Sequence, residues 1–229
     1  MERTLLLIDD RKEHLSVLDN IKSNLKTNRS INLSTKYLNP NDQKFWNNQK
    51  DPDISKVIEG IKIKLSSLKP NLILVDQYYS DNDFFKGIDI IEKLRSIPKF
   101  KECPIFIISG NRDKIVKEIF ENEGDKEKDK VNNLAKLINL KINRFLDKDF
   151  KGEAIEELSK VKIDDILPTK LRDYEGENVV INRFSPKYKT LTFTELAEKI
   201  ENNDSETVDI LDEIFELTLA HYVGINEKL

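Results

Sequence analysis

Apolar residues along this chain come in short continuous runs, separated by longer stretches in which they recur every three or four positions. The continuous runs predict buried strands and the spaced ones predict helices. TLLLI (4–8), INLSTKYL (31–38), NLILV (71–75), PIFII (104–108) and INRFL (142–146) are the predicted strands. Between the first two, Leu15, Leu18, Ile21 and Leu25 share one helical face. Ile54, Val57, Ile58, Ile61, Leu65 and Leu68 predict a long second helix stopped by Pro70, and IDIIEKLRSI (88–97) a third. A charged region to about residue 141, with EGDKEKDK in its middle as a solvated loop or helix end, is predicted to be helical, and KGEAIEELSKVKIDDIL opens a further helix. Five strands alternating with helices predict an α/β fold with a doubly wound five-stranded parallel sheet.

The 229 residues suffice for one sizeable domain and a smaller one, without disulfides or structural metals. The expected division is residues 1–160 and an acidic, mainly helical extension over residues 161–229. Cys103 is the only cysteine and opens an apolar run, which fits a small buried hydrophobe and a reducing, cytoplasmic setting. No apolar run approaches the roughly 20 residues needed to cross a bilayer, and charges bracketing TLLLI argue against a signal peptide. Residues 151–229 carry 10 Lys/Arg against 18 Asp/Glu, so this part would be repelled by a nucleic-acid backbone.

Chemistry enters where the runs end. TLLLI is followed by Asp9 and Asp10, NLILV by Asp76, PIFII by Ser109, and INRFL, one residue further on, by Lys148. In an open parallel sheet the carboxyl ends of the strands line one edge, so side chains placed just beyond them converge in one crevice. A lone Asp after a strand is usually a turn or cap residue. Four such positions point to an acidic, metal-binding, phosphate-accepting site.

The order acid pair, acid, hydroxyl, amine after strands one, three, four and five resembles the receiver domain of two-component response regulators, a flavodoxin-like fold, over about residues 3–160. The resemblance implies that Asp76 is the phosphoacceptor. It implies that Asp9 and Asp10 hold a divalent cation, Mg2+, with Asp10 the direct ligand, joined by Asp76 and the carbonyl of Tyr78. Ser109 and Lys148 would bind phosphoryl oxygens, and Phe145, three residues before the lysine, occupies the place of the family's switch aromatic beside Ser109. The phosphoryl donor would be a histidine kinase or phosphotransfer protein. The output would be a downstream protein partner or a phosphate sink, and not an enzyme activity beyond the domain's own phosphorylation and dephosphorylation.

Several positions depart from that pattern. The spacing from Asp10 to Asp76 is wide, consistent with an insertion around residues 40–55; QYYSDNDFFK is long and lacks the usual proline; a further insertion precedes Lys148, and Asp149 stands where a proline commonly follows it. The ring of Tyr78 is placed to shield an acyl phosphate from water.

A haloacid-dehalogenase-type phosphatase is the rival reading, with Asp9, Ser109 and the pair Asp164–Asp165. Arg11 stands where that chemistry wants its acid/base Asp, and Asp164–Asp165 falls in a helical pattern. A receiver-like scaffold that binds partners without phosphorylation is the third.

In the tail, Pro168 and DYEGEN suggest a break after a helix, VVINRF a short strand or extended connection, and Thr192 with Glu195 a capping box. Val208, Leu211, Phe215, Leu219 and Tyr222 share a helical face, widened by Ile210, Ile214 and Leu217. That face packs on its own domain or serves a homodimer or partner contact. His14 and His221 are expected at the surface or as caps.

Overall fold

In the computed structural model, which describes residues 1–66, 68–80, 82–110, 117, 127–161, 163–173, 192–202 and 207–226, five strands pair in parallel. They are β1 (Glu2–Ile8), β2 (Asn32–Leu38), β3 (Leu72–Asp76), β4 (Ile105–Ile108) and β5 (Arg144–Leu146), in the spatial order β2-β1-β3-β4-β5. This is the flavodoxin-like order of a doubly wound sheet.

Alternation along the strands sets the layers. Leu6, Ile8, Ile73, Val75, Ile105 and Ile107 face one core with α2 (Ile54–Leu65) and α3 (Gly87–Arg95). Leu5, Leu7, Leu72, Leu74, Phe106 and Ile108 face the other, with α1 (His14–Arg29) and a later helix α5 (Lys151–Ser159). Each central strand is therefore buried on both faces, which explains its unbroken apolar run.

Between β4 and β5 lies α4 (Glu127–Asn139). EGDKEKDK enters it from residue 127 onward; residues 123–126 lie outside those described. Two predicted helices are corrected. The second stops at Leu65, because Ser66 takes a positive φ of 49° and its N–H closes on the carbonyls of Lys62 and Ile63. Leu68 falls beyond it and is exposed. The helix opening at Lys151 ends at Ser159, where Lys160 turns extended and Arg3 collects the carbonyls of Leu158 (3.3 Å) and Lys160 (2.8 Å). A separate helix α6 (Ile163–Asp173) follows.

A second arginine fastens the same edge of the sheet. Arg95, near the end of α3, donates to five main-chain carbonyls, those of Leu140 (2.7 Å), Phe100 (2.7 Å), Lys101 (3.0 Å), Cys103 (2.8 Å) and Lys141 (2.8 Å). It ties the turns that lead into β4 and β5, satisfying carbonyls that no ladder reaches.

The chain divides into two compact units, Met1–Lys160 and Val161–Leu229. The second contains α6, α7 (Phe193–Glu201) and α8 (Thr207–Asn226) around Leu196, Ile200 and Ile210. Pro168 lies buried inside α6, which continues to Asp173, where the sequence predicts a break after a helix. VVINRF lies outside the described residues. Thr192 and Glu195 form the expected capping box at α7, with Glu195 N donating to Thr192 Oγ1 (3.2 Å) and Thr192 N to Glu195 Oε2 (2.8 Å). On α8 the packed side carries Ile210, Leu211 and Ile214, whereas Phe215 and Leu219 of the expected stripe are exposed.

Candidate functional site

The sheet order reverses at β1, whose neighbours are β2 and β3, and a crevice opens at such a switch point beyond the strand ends. Asp9, Asp76 and Ser109 stand there because main-chain bonds between neighbouring strands hold them at or just past the strand ends. Asp9 N donates to Leu38 O (3.1 Å), Asp76 is the last residue of β3 and pairs with Ile108, and Ser109 N donates to Leu146 O (2.9 Å).

One carboxylate oxygen from each of Asp9, Asp10 and Asp76 lies within 4.8 Å of the others. Asp76, Ser109 and Lys148 line a single cleft of about 350 Å3, together with Arg11, His14, Tyr78 and Gly110. Asp9, Asp76 and Ser109 are buried; Lys148 is exposed and reaches in from the rim.

Asp9 is held at both oxygens. Its Oδ1 accepts from Arg11 N (2.8 Å), and its Oδ2 meets Nδ1 of His14. His14 corrects the expectation of a surface or cap histidine: it is buried and stands edge-on to Phe150, with ring centroids 5.5 Å apart. His221 belongs to α8, with its side chain outside those described.

Asp10 is held differently. Its Oδ2 accepts from Ser80 N (2.6 Å) and Asn41 Nδ2 (3.4 Å), while Oδ1 is buried with no hydrogen-bond partner among the described residues. A buried carboxylate oxygen without a donor is costly. Beside two further carboxylates, it fits a hard divalent cation with oxygen ligands, Asp10 supplying Oδ1 and Asp76 and Asp9 standing next to it.

Burial pushes the carboxyl of Asp76 up to about 6, with Asp9 adding to the rise; the Tyr78 N–H and Arg11 oppose it. The same negative field reaches two phenols. Burial, then Asp9 and Asp10, push Tyr37 up to about 12, and burial with Asp76 raises Tyr79. A cation would relieve this repulsion.

Two glycines allow close approach, one to the main chain of Asp76 and one to the side chain of Lys148. A Cβ at Gly87, the first residue of α3, would lie 2.2 Å from the carbonyl oxygen of Asp76. A Cβ at Gly110 would lie 2.6 Å from Cε of Lys148, so the lysine crosses the cleft over a residue without a side chain.

Tyr78 is half-buried in the cleft wall; its N–H donates to Asp76 Oδ1 (3.4 Å), and Lys86 Nζ stands 5.6 Å from its ring centroid. Phe145 lies opposite Ile107 in β5, half-buried against the core on the α2 and α3 side. Asp164 and Asp165, the late acids of the phosphatase reading, lie in α6. Sequence reasoning passed over Arg11 and His14 as parts of the site, although both fall within a turn of the acid pair. It also passed over Gly110 and Asn41, for which no local signal exists.

No protein-family model matches the chain, and no curated protein matches it in sequence. Among solved structures it is similar to the signal receiver domain of a DNA-binding response regulator from Colwellia psychrerythraea 34H, at 13% identity, covering 69% of this chain and 99% of that one, with a TM-score of 0.40. It is also similar to a two-component response regulator from Legionella pneumophila (17% identity, 68% and 94% covered, TM-score 0.37) and to the Mn2+-bound form of the response regulator Rcp1 (16%, 69% and 88%, TM-score 0.39). The solved structures similar to this five-stranded flavodoxin-like chain are mostly response-regulator receiver domains.

Proposed function

We propose that residues 1–160 form a receiver domain that accepts a phosphoryl group on Asp76 in a Mg2+-dependent reaction, and that the protein signals through protein contacts or acts as a phosphate sink. The observation that carries this reading is the meeting of three carboxylates within 4.8 Å at the switch point, with Ser109 and Lys148 in the same cleft as Asp76.

An oxygen of Asp76 attacks phosphorus of a phosphohistidine or small phosphodonor. The P–N or P–O bond breaks and the leaving group keeps its electron pair; an imidazole or amine nitrogen takes a proton from solvent, whereas acetate leaves as the anion. Bound at Asp9, Asp10, Asp76 and the Tyr78 carbonyl, Mg2+ would neutralise charge on the phosphoryl oxygens. Lys148 supplies a second positive charge across Gly110, and the Ser109 hydroxyl donates to a phosphoryl oxygen. Movement of Ser109 toward that oxygen leaves space for Phe145, converting a local charge into a changed surface. Water returns Asp76 to the carboxylate and releases orthophosphate. The ring of Tyr78 at the cleft wall limits its approach.

The donor is a histidine kinase or phosphotransfer protein. A protein output is supported by α4, which exposes Val131, Leu134 and Ile138 at helical spacing. On α8, the exposed Phe215 and Leu219 offer a surface for a homodimer or downstream partner. Among the described residues no helix is long and apolar enough to cross a membrane. The buried thiol of Cys103, which donates to Pro70 O and forms no disulfide, fits action in the reducing cytoplasm.

The test is intact-protein mass after incubation with Mg2+ and acetyl phosphate or a phosphoramidate, for the parent and Asp76→Asn. A gain of one hydroxylamine-sensitive phosphoryl group in the parent alone is expected. Labelling of Asp76→Asn would move the nucleophile elsewhere. No gain in either protein, even with kinase, would favour the scaffold that binds without phosphorylation, and phosphate release from a generic phosphomonoester the phosphatase.

A further inference from the structure

Two long loops flank the acidic edge, residues 39–53 after β2 and residues 77–86 after β3. Each is fastened to the body of the domain. In the first, Asn39 Oδ1 accepts from Asn41 N (2.8 Å), Asp53 N donates to Phe45 O (3.0 Å), and buried Phe45 lies over Gly60 of α2, where a Cβ would come within 2.3 Å of its ring. In the second, Asn82 is buried, its Oδ1 accepting from Phe84 N (3.0 Å) and Phe85 N (3.4 Å), and Phe85 packs into the core beside Tyr79.

Asn41 joins the two. Its Oδ1 accepts from Asn82 Nδ2 (2.9 Å), and its Nδ2 donates to Ser80 O (2.7 Å) and to Asp10 Oδ2 (3.4 Å). Ser80 N donates to the same carboxylate oxygen (2.6 Å). One oxygen of Asp10 is thus tied to both loops, and the other is left for a ligand.

We propose that Asn41 is a positioning residue for the cation: it locks Asp10 by Oδ2 so that Oδ1 is presented to the metal, and it couples both loops to cation binding, with Asn82 as its anchor. This rests on the metal-binding part of the proposed function, although not on phosphorylation. A tethered carboxylate loses less freedom when it ligates, and removing such an outer partner commonly weakens metal affinity about 10- to 100-fold. No side chain substituted at position 41 other than an amide supplies both the donors and the acceptor used here.

The experiment is Mn2+ and Mg2+ binding by calorimetry on the full chain for the parent, Asn41→Ala, Asn82→Ala and Asn47→Ala. Asn47 Oδ1 accepts from Gln49 N and Asp51 N in the same loop, so Asn47→Ala loosens that loop without removing a contact to Asp10. Asn41→Ala is expected to weaken both cations roughly tenfold or more, Asn82→Ala less, and Asn47→Ala within about twofold, with thermal unfolding in chelator showing that each variant folds. Parent-like affinity in Asn41→Ala overturns the assignment. So does an equal loss in Asn47→Ala, which would reduce the effect to loop stability. A folded parent that binds neither cation removes the metal site itself, a result distinct from both.

Discussion

The main chain of Asp76 and the α-carbon of Gly87 are packed so closely that a single added methyl group would stand 2.2 Å from the Asp76 carbonyl oxygen. Gly87 N also donates to Gln77 O (3.0 Å), and Gln77 Oε1 accepts from Ile88 N (3.1 Å), so the start of α3 is pinned against the acid-bearing strand. The atom in the way belongs to the backbone and cannot swing aside.

Gly87→Ala should therefore displace the end of β3. The expected cost is about 1–3 kcal/mol of stability, the range for overpacking, together with a loss of phosphoryl uptake at Asp76 larger than the loss of folded protein explains. Denaturant unfolding and intact mass measure the two; parent-like values in both would contradict the close packing.

The raised Asp76 carboxyl gives a pH signature. Its folded value of about 6 lies above its ordinary 3.8, so between these values the native state binds more protons than the unfolded chain. Stability then falls as pH rises through that window and levels off above it. In chelator, Asp76→Asn should be more stable than the parent at pH 8, by on the order of 3 kcal/mol at most, and the two should converge near pH 4. Unfolding curves that stay parallel across this range would refute it. Mg2+ should narrow the gap at pH 8 by stabilising the parent more than the variant.

Gly110→Ala places its methyl against a flexible side chain, so the consequence differs from that at Gly87. Lys148 should be turned out of the cleft with under about 1 kcal/mol lost in stability. Phosphorylation by acetyl phosphate should slow about tenfold or more, while Mn2+ affinity is retained. Slowed phosphorylation together with lost Mn2+ binding would mean that the acid cluster, and not the lysine, had been disturbed.

His14 couples the acid edge to the opposite core through Asp9 and Phe150. His14→Ala removes a buried ring and one partner of a buried carboxylate, and each loss is destabilising. We expect about 2–4 kcal/mol in thermal or denaturant unfolding; a change under about 0.5 kcal/mol would show that the ring bears little of the packing.

Asp9, Asp10, Asp76, Ser109 and Lys148 were legible because a buried parallel strand writes itself as a solid apolar run, and its end marks a place in space. The breaks at Ser66 and Lys160 were not legible. Apolar spacing continues through both, and what ends the helices is a positive φ at one and the distant Arg3 at the other. Which part of the apolar face of α8 makes contact was not legible for a related reason: its apolar residues outnumber one face, so periodicity alone does not choose between Ile210–Ile214 and Phe215–Leu219. Asn41 and Asn82 are two among many polar loop residues, and only folding brings them together. His14 read as a helix-end residue because its carboxylate partner lies in a different element.

The five carbonyls gathered by Arg95, and the two gathered by Arg3, all lie toward the edge of the sheet away from the acids. The domain is therefore riveted at one margin and electrostatically loaded at the other. Loops at the loaded margin, those bearing Asn41 and Asn82 among them, are free to differ in length without slackening the seam that sets strand register. A change of reach around the acidic socket therefore leaves the rivets, and the register they hold, in place.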